Sequence, residues 1–214
     1  MDRLTPSQHG ALERFLTELE LWRGRMNLTA VSADSAWGRL IEPSLHLLDA
    51  ASIEHGARVI DLGSGAGIPG LVLAVARPDL SVTLLDADRR KAAFLEHVAG
   101  LLRLRHVGVA ARRAELAGRD SSLRERFDVC VSRAAAPPAV LCELALPFVR
   151  VGGRLLAVVA NATEDAARAR TAALACGGGA PVAHAAGVLV VLKVSATPAE
   201  YPRRTGVPAR RPIG

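Results

Sequence analysis

A short apolar run, Arg58-Val59-Ile60-Asp61-Leu62, leads directly into Gly63-Ser64-Gly65-Ala66-Gly67-Ile68-Pro69-Gly70. No other segment constrains the fold as tightly. The apolar run reads as a buried strand, the glycines as a tight turn, and Pro69 as a residue of a helix's first turn. Glycine lets a ligand approach the backbone, and a helix N-terminus presents free N–H groups to it. Strand, glycine turn and helix in that order are the opening unit of a doubly wound α/β sheet. The competing reading is an ordinary strand-to-helix connection whose glycines serve geometry alone.

The rest of the chain continues that alternation. Strands are predicted at Ser81–Leu85, Val107–Ala110, Phe127–Ser132 and Gly153–Val159, with helices over Arg89–Leu102, Pro137–Val149 and Thr163–Cys176. Two adjacent strands, Val182–Ala185 and Val188–Val194, follow around Gly187 and imply an antiparallel edge. Before residue 53 no strand pattern occurs. Leu12, Phe15, Leu16, Leu19 and Trp22 recur at helical spacing behind Thr5-Pro6, and Gly24 and Asn27 read as a break. A second helical stretch runs from about Asp34 to Ala51, with Trp37, Leu40, Ile41, Leu45 and Leu48 on one face. The expected organisation is therefore a helical extension over 1–52, an α/β domain over 53–198 and a basic, extended tail over 199–214. The fold class is a Rossmann-like α/β sheet, mostly parallel.

Two nucleotide ligands compete for the glycine loop. Gly65-Ala66-Gly67-Ile68-Pro69-Gly70 matches the G-x-G-x-x-G fingerprint of dinucleotide binding. Asp61, two residues before the first glycine, would repel a pyrophosphate but suits the cationic amino acid end of S-adenosylmethionine. Asp86 ends the second strand, where a carboxylate accepts ribose hydroxyls. Asp88 could share that work or cap the following helix. Ala114 and Glu115 follow the third strand at the adenine end, and Arg133 closes the fourth. A charge at the end of a buried strand is usually paired or on a ligand.

Composition narrows the partners. The net charge is +6, and the basic residues are 25 Arg and 2 Lys, Lys91 and Lys193. An anionic partner such as nucleic acid fits, although Arg and Ala abundance also reflects a GC-rich coding bias. Cys130, Cys142 and Cys176 form no close pair, so a disulfide framework and a zinc cluster are unexpected, and a reducing, cytoplasmic setting fits. No apolar run is long enough to span a bilayer.

Several segments together resemble one bacterial family, the 16S ribosomal RNA guanine-N7 methyltransferase G family, also called glucose-inhibited division protein B. They are Asn27-Leu28-Thr29-Ala30-Val31, His46-Leu47-Leu48-Asp49, Asp61 to Gly70, Asp86 with Arg90-Lys91-Ala92-Ala93-Phe94, Arg113-Ala114-Glu115, Ser132-Arg133-Ala134 and Tyr201-Pro202-Arg203-Arg204-Thr205-Gly206-Val207-Pro208. The resemblance implies a class I methyltransferase fold, S-adenosylmethionine as cofactor, and as partner 16S ribosomal RNA or the small ribosomal subunit. It implies cofactor contacts at Gly63, Ile68, Asp86, Ala87, Asp88, Ala114, Glu115 and Arg133, beside Gly65 from the loop. The chain departs from the family at Val159-Ala160-Asn161, where Lys-Gly is frequent, and at Gly187-Val188, where Arg-His is frequent. A cofactor-binding RNA module with weak catalysis is the alternative those departures motivate.

Guanine N7 carries a free lone pair at neutral pH, so no general base and no metal are expected. His46 and Asp49, three apart on a helix, could line the substrate side. Arg203, Arg204, Arg210 and Arg211 read as a phosphate-contacting arm. The chain is expected to act as a monomer.

Overall fold

The structure is a computed structural model and describes residues 4–133, 135–184 and 187–214. It opens with α1 (Pro6–Met26). Thr5 Oγ1 accepts from Gln8 N at 3.3 Å, and the Gln8 side chain accepts from Thr5 N at 2.8 Å, a reciprocal cap. The helix runs through Gly24 and ends at Asn27, which adopts φ 47. Packing of Trp22 and Met26 against the core carries it past the glycine.

Four short helical pieces follow: α2 (Ala33–Ala36), a π turn at Trp37–Ile41, α3 (Glu42–Leu45) and α4 (Leu47–Ala50). Leu40, Ile41 and Leu45 are buried as the pattern predicts. The helix breaks at His46 between α3 and α4, and beyond that break Leu47 is fully buried, with Leu48 only partly covered.

The α/β part comprises β1 (Arg58–Leu62), α5 (Gly70–Ala76), β2 (Ser81–Asp86), α6 (Arg89–Leu101), β3 (Val107–Ala111), α7 (Ala114–Ala117), β4 (Phe127–Arg133), α8 (Pro138–Ala145), β5 (Val149–Val158), α9 (Ala162–Ala175), β6 (Val182–His184) and β7 (Val188–Leu192). The sheet order is β3-β2-β1-β4-β5-β7-β6. Every pairing is parallel except those of β7, which runs against β5 and β6. Strand order reverses between β1 and β4, and the crevice outside such a reversal is where α/β sheets bind ligands. The helix expected over Pro137–Val149 stops at Ala145, because Leu146-Pro147-Phe148 tightens into a 3₁₀ turn and Val149 already pairs with Phe127. Ala185, the expected last residue of β6, lies outside the described residues.

Both faces of the sheet are covered. One core joins Leu12, Phe15 and Leu47 of the N-terminal helices to Leu71, Leu73 and Phe94. Gln8 Nε2 ties the two parts further, donating to Val75 O at 3.0 Å and Ala76 O at 3.1 Å. The other core holds Phe127, Leu141, Phe148, Leu155 and Leu189.

The C-terminal tail packs on that second face. It is not extended throughout: α10 (Val207–Arg210) is a helical turn, and Pro202 and Pro208 are buried. The physical reason is a set of guanidinium clamps on its carbonyls. Arg119 Nε donates to Pro202 O at 2.8 Å and its Nη2 to Glu200 O at 2.8 Å, and Arg124 Nη1 donates to Tyr201 O at 2.9 Å. At the root of the tail the buried Lys193 ammonium donates to Leu146 O (2.7 Å), Val149 O (3.1 Å), Thr197 Oγ1 (2.6 Å) and Glu125 Oε1 (3.1 Å).

Candidate functional site

The carboxyl ends of β1, β2, β3 and β4 bound a cavity of about 600 Å³, within the range that encloses a ligand of nucleoside size or larger. Gly63 and Gly65 form its floor. Gly63 N and Ser64 N donate to Leu85 O at 2.9 and 3.0 Å, fastening the loop to β2. Gly63 has φ 68, and a Cβ there would stand 2.8 Å from Ala135 Cβ. The strand end therefore demands glycine on both conformational and steric grounds.

Asp86 and Ala87 line one wall. Asp86 Oδ2 accepts from Gly65 N and Oδ1 from Asp88 N, both at 2.8 Å. Each oxygen keeps a lone pair for a further donor. Asp88 is not among the residues lining this cavity. It caps α6, accepting from Arg90 N at 2.8 Å and Lys91 N at 3.4 Å. Those N–H groups hold its carboxyl below the usual range.

The opposite end is formed by Arg112, Arg113, Ala114 and Glu115, and apolar walls come from Val140 and Leu144 of α8. Arg133 reaches in from the end of β4. Its guanidinium is half-buried and Nη1 has no hydrogen-bond partner among the described residues. Burial first, then the charge of Arg39, lower its pKa from the usual arginine value. Ala134, next in that motif, lies outside the described residues. Ile68 lines a smaller adjoining cavity of about 220 Å³, which shares Gly63, Gly65 and Arg133 with the first and is closed by Leu28 and Thr29.

Asp61 sits elsewhere than expected. Its side chain is turned beneath the loop onto the N-terminus of α5, where Oδ2 accepts from Gly70 N at 2.9 Å. It is completely buried, does not line the cavity, and its Oδ1 has no partner among the described residues. Burial pushes its carboxyl up to about 7, against the lowering effect of the Gly70 N–H. It supports the loop from below rather than touching the ligand space. Gly70 follows from this: a Cβ there would lie 2.6 Å from Asp61 Oδ2 and 2.4 Å from Leu84 Cδ2.

His46 is half-buried between α3 and α4, Asp49 is exposed on α4, and neither is among the residues lining the two cavities. Among the four tail arginines, Arg203 does not face solvent as a free phosphate contact. Its Nε and Nη2 donate to Glu143 Oε1 and Oε2 at 2.8 and 2.6 Å. The cause is Glu143 itself, a fully buried acid on α8 that would otherwise lie uncompensated. Arg204, Arg210 and Arg211 are exposed.

The sequence reading missed that Thr205, Gly206 and Ala209 line the same cavity. One signal pointed that way: Glu143 is the single acid in the apolar run Ala139-Val140-Leu141-Cys142-Glu143-Leu144-Ala145. At the departures from the family pattern, Val159 and Ala160 border a cavity of about 180 Å³, and Asn161 caps α9 through Glu164 N. The three cysteines are free and buried, and no cluster of metal-ligating side chains occurs among the described residues.

A family model described as rRNA small subunit methyltransferase G matches residues 8–187. A curated protein of the name ribosomal RNA small subunit methyltransferase G from Roseiflexus castenholzii is 42% identical, covering 99% of this chain and 94% of its own length. Another from Chloroflexus aggregans is 39% identical, covering 98% and 92%. Among solved structures, a Methanococcus maripaludis protein described as an S-adenosyl-L-methionine-dependent methyltransferase aligns with TM-score 0.59 at 14% identity, covering 77% of this chain and 91% of that one. A T. thermophilus 16S rRNA methyltransferase in complex with AdoMet and guanosine aligns with TM-score 0.51 at 20% identity, covering 73% and 40%. At these identities the structural likeness shows the fold.

Proposed function

The chain belongs to the rRNA small subunit methyltransferase G family, and from that premise we propose that it methylates N7 of a guanine in 16S ribosomal RNA. S-adenosylmethionine, when bound, supplies an electrophilic methyl group. The observation that carries the assignment of the cavity is the unpartnered Arg133 Nη1 at its edge, beside a side-chain-free floor and the Asp86 carboxylate. That donor set fits a nucleoside bearing a carboxylate. Arg133 would hold the carboxylate, Asp86 the ribose hydroxyls, and Ala87, Ala114 and Glu115 would border the base. Gly63 and Gly65 let the ligand lie on the backbone, and Ile68 borders the adjoining space.

The chain's own residues then bind, orient and exclude water; none is asked to remove a proton, because N7 is already a nucleophile. His46 and Asp49 stand as residues of the substrate side rather than as bases. Arg204, Arg210 and Arg211, with Arg113 at the cavity rim, supply positive charge for the RNA backbone. Action as a monomer in the cytoplasm is part of this reading. The full-length match to the family favours an active enzyme over a weak paralogue.

Calorimetry tests the cofactor. The protein should bind S-adenosylhomocysteine and not NAD, and Gly65→Val, at a position with φ 54, should abolish binding. Mapping methylated nucleotides in ribosomal RNA from cells with and without the gene tests the substrate. Loss of a single N7-methylguanine is expected, and an unchanged map would sink the reading.

A further inference from the structure

We propose that Glu143 is a positioning residue for cofactor binding: through Arg203 it docks the C-terminal tail as a wall of the cofactor cavity. The inference rests on the reading that this cavity holds S-adenosylmethionine.

Glu143 lies on α8 with no solvent exposure, and both of its carboxylate oxygens accept from residue 203. Arg203 N donates to Oε1 at 2.9 Å, Nε to the same oxygen at 2.8 Å, and Nη2 to Oε2 at 2.6 Å. A planar fork on a planar carboxylate fixes direction as well as distance. The same Nη2 donates to Arg211 O at 2.7 Å, so one guanidinium staples both ends of the tail's last loop. Between those ends, Gly206 N donates to Glu115 Oε1 at 2.9 Å. Thr205, Gly206 and Ala209 are thereby placed against the cavity that the glycine loop also lines. Glu115 itself lines the cavity and is nearly buried, so its carboxylate is oriented by the tail. A buried acid adds little net stability compared with an apolar pair of the same volume. What this one provides is a fixed position and direction for the loop between the tail's apolar anchors.

Two measurements on the full chain test this: affinity for S-adenosylhomocysteine by calorimetry, and the rate of tryptic cleavage after Arg204 and Arg210. In the parent, saturating S-adenosylhomocysteine should slow tail cleavage about tenfold, because a ligand that touches the docked tail must favour docking. Arg203→Lys keeps the charge and loses the fork. Its Kd should rise roughly tenfold or more, with faster tail cleavage and a urea midpoint close to the parent's. Gly206→Val places a β-branched residue at φ 78 and should release the wall from Glu115 while leaving the Glu143–Arg203 pair intact. A comparable rise in Kd is expected. A Kd within twofold of the parent in both variants would overturn the proposal, as would parent cleavage indifferent to bound ligand. Failure of the parent to bind S-adenosylhomocysteine at all would overturn the cofactor reading, and this inference with it.

Discussion

The glycine loop and the C-terminal tail line one cavity and are held there by different means. The loop is fixed by its own neighbourhood. Asp61 and Gly70 bond across nine residues, and Gly63 and Ser64 bond to Leu85 on the adjacent strand. The tail is fixed from afar: Arg203 meets Glu143 across 60 residues, Arg124 meets Tyr201 across 77, and Gly206 meets Glu115 across 91. A loop built into the central strand must fold for the sheet to fold. A tail clamped by polar groups can detach while the sheet persists. Changes to the groups that support the loop from beneath should therefore register as stability, and changes to the clamps of the tail as ligand affinity with little change in stability.

The largest effect should come from Gly70→Val. Its Cβ would collide with Leu84 and Asp61 and displace the N–H that satisfies the buried carboxyl. Overpacking and loss of that bond together should cost up to about 6 kcal/mol, read as a lowered urea midpoint or insoluble protein. A stable Gly70→Val variant would show that the loop is as detachable as the tail.

Asp61 sharpens the contrast through pH. Its carboxyl ordinarily titrates at 3.8 and is raised to about 7 in the fold. Between those values the folded chain holds a proton that the unfolded chain has lost. The stabilisation is complete below about pH 4 and is lost as pH rises toward 7, a change of about 4 kcal/mol. Asp61→Asn should remove this slope. Subtracting its urea stabilities from the parent's between pH 4 and 8 isolates the effect from other carboxylates, and a flat difference would mean that Asp61 is ionised in the fold.

Lys193→Met removes four hydrogen bonds at the root of the tail and leaves Glu125 facing buried carbonyls. A loss of about 3 kcal/mol is expected, the lower end for breaking a buried pair, because Glu125 is partly exposed. Here the tail's root should behave like the loop, which bounds the detachable segment to the residues beyond it. The smallest effect on stability should follow Arg204, Arg210 and Arg211 all changed to Ala, since these side chains are exposed. RNA affinity should fall, and its salt dependence should flatten by roughly 0.7–0.9 for each phosphate the tail no longer neutralises. An unchanged slope would remove the outer face of the tail from the RNA surface.

These regions also differ in how far the sequence disclosed them. β1 has the bounds that its apolar run predicts, and β2 and α6 fall within a residue of theirs. Gly63, Gly65, Asp86, Ala114, Glu115 and Arg133 all line one cavity, as their places at strand ends imply, and Ala87, which the family resemblance alone supplied, lines it too. Asp88 was legible as a choice between ribose contact and helix cap, and its side chain caps α6; Asp61 was legible as a residue but not as a contact. Whether an acid at a strand end faces a ligand, a helix N-terminus or its own helix depends on χ angles and neighbours that spacing does not encode. The tail misled for a related reason. Proline and arginine in alternation suggest an extended, solvated segment, and only the position of Glu143 on a helix packed beneath it makes Arg203 an internal residue.

By itself the sequence determined what depends on short-range order: the alternation of strands and helices, the glycine turn, and the carboxylate that ends β2. Periodicity and backbone sterics act over a few residues and are written in consecutive letters. The tertiary structure alone decided which charges are inside. Burial turned Asp61 from a contact into a support, enclosed Lys193 in a ring of acceptors, and paired Glu143 with Arg203. The free energy of a charge is set by what surrounds it in three dimensions, and a linear chain does not state its surroundings.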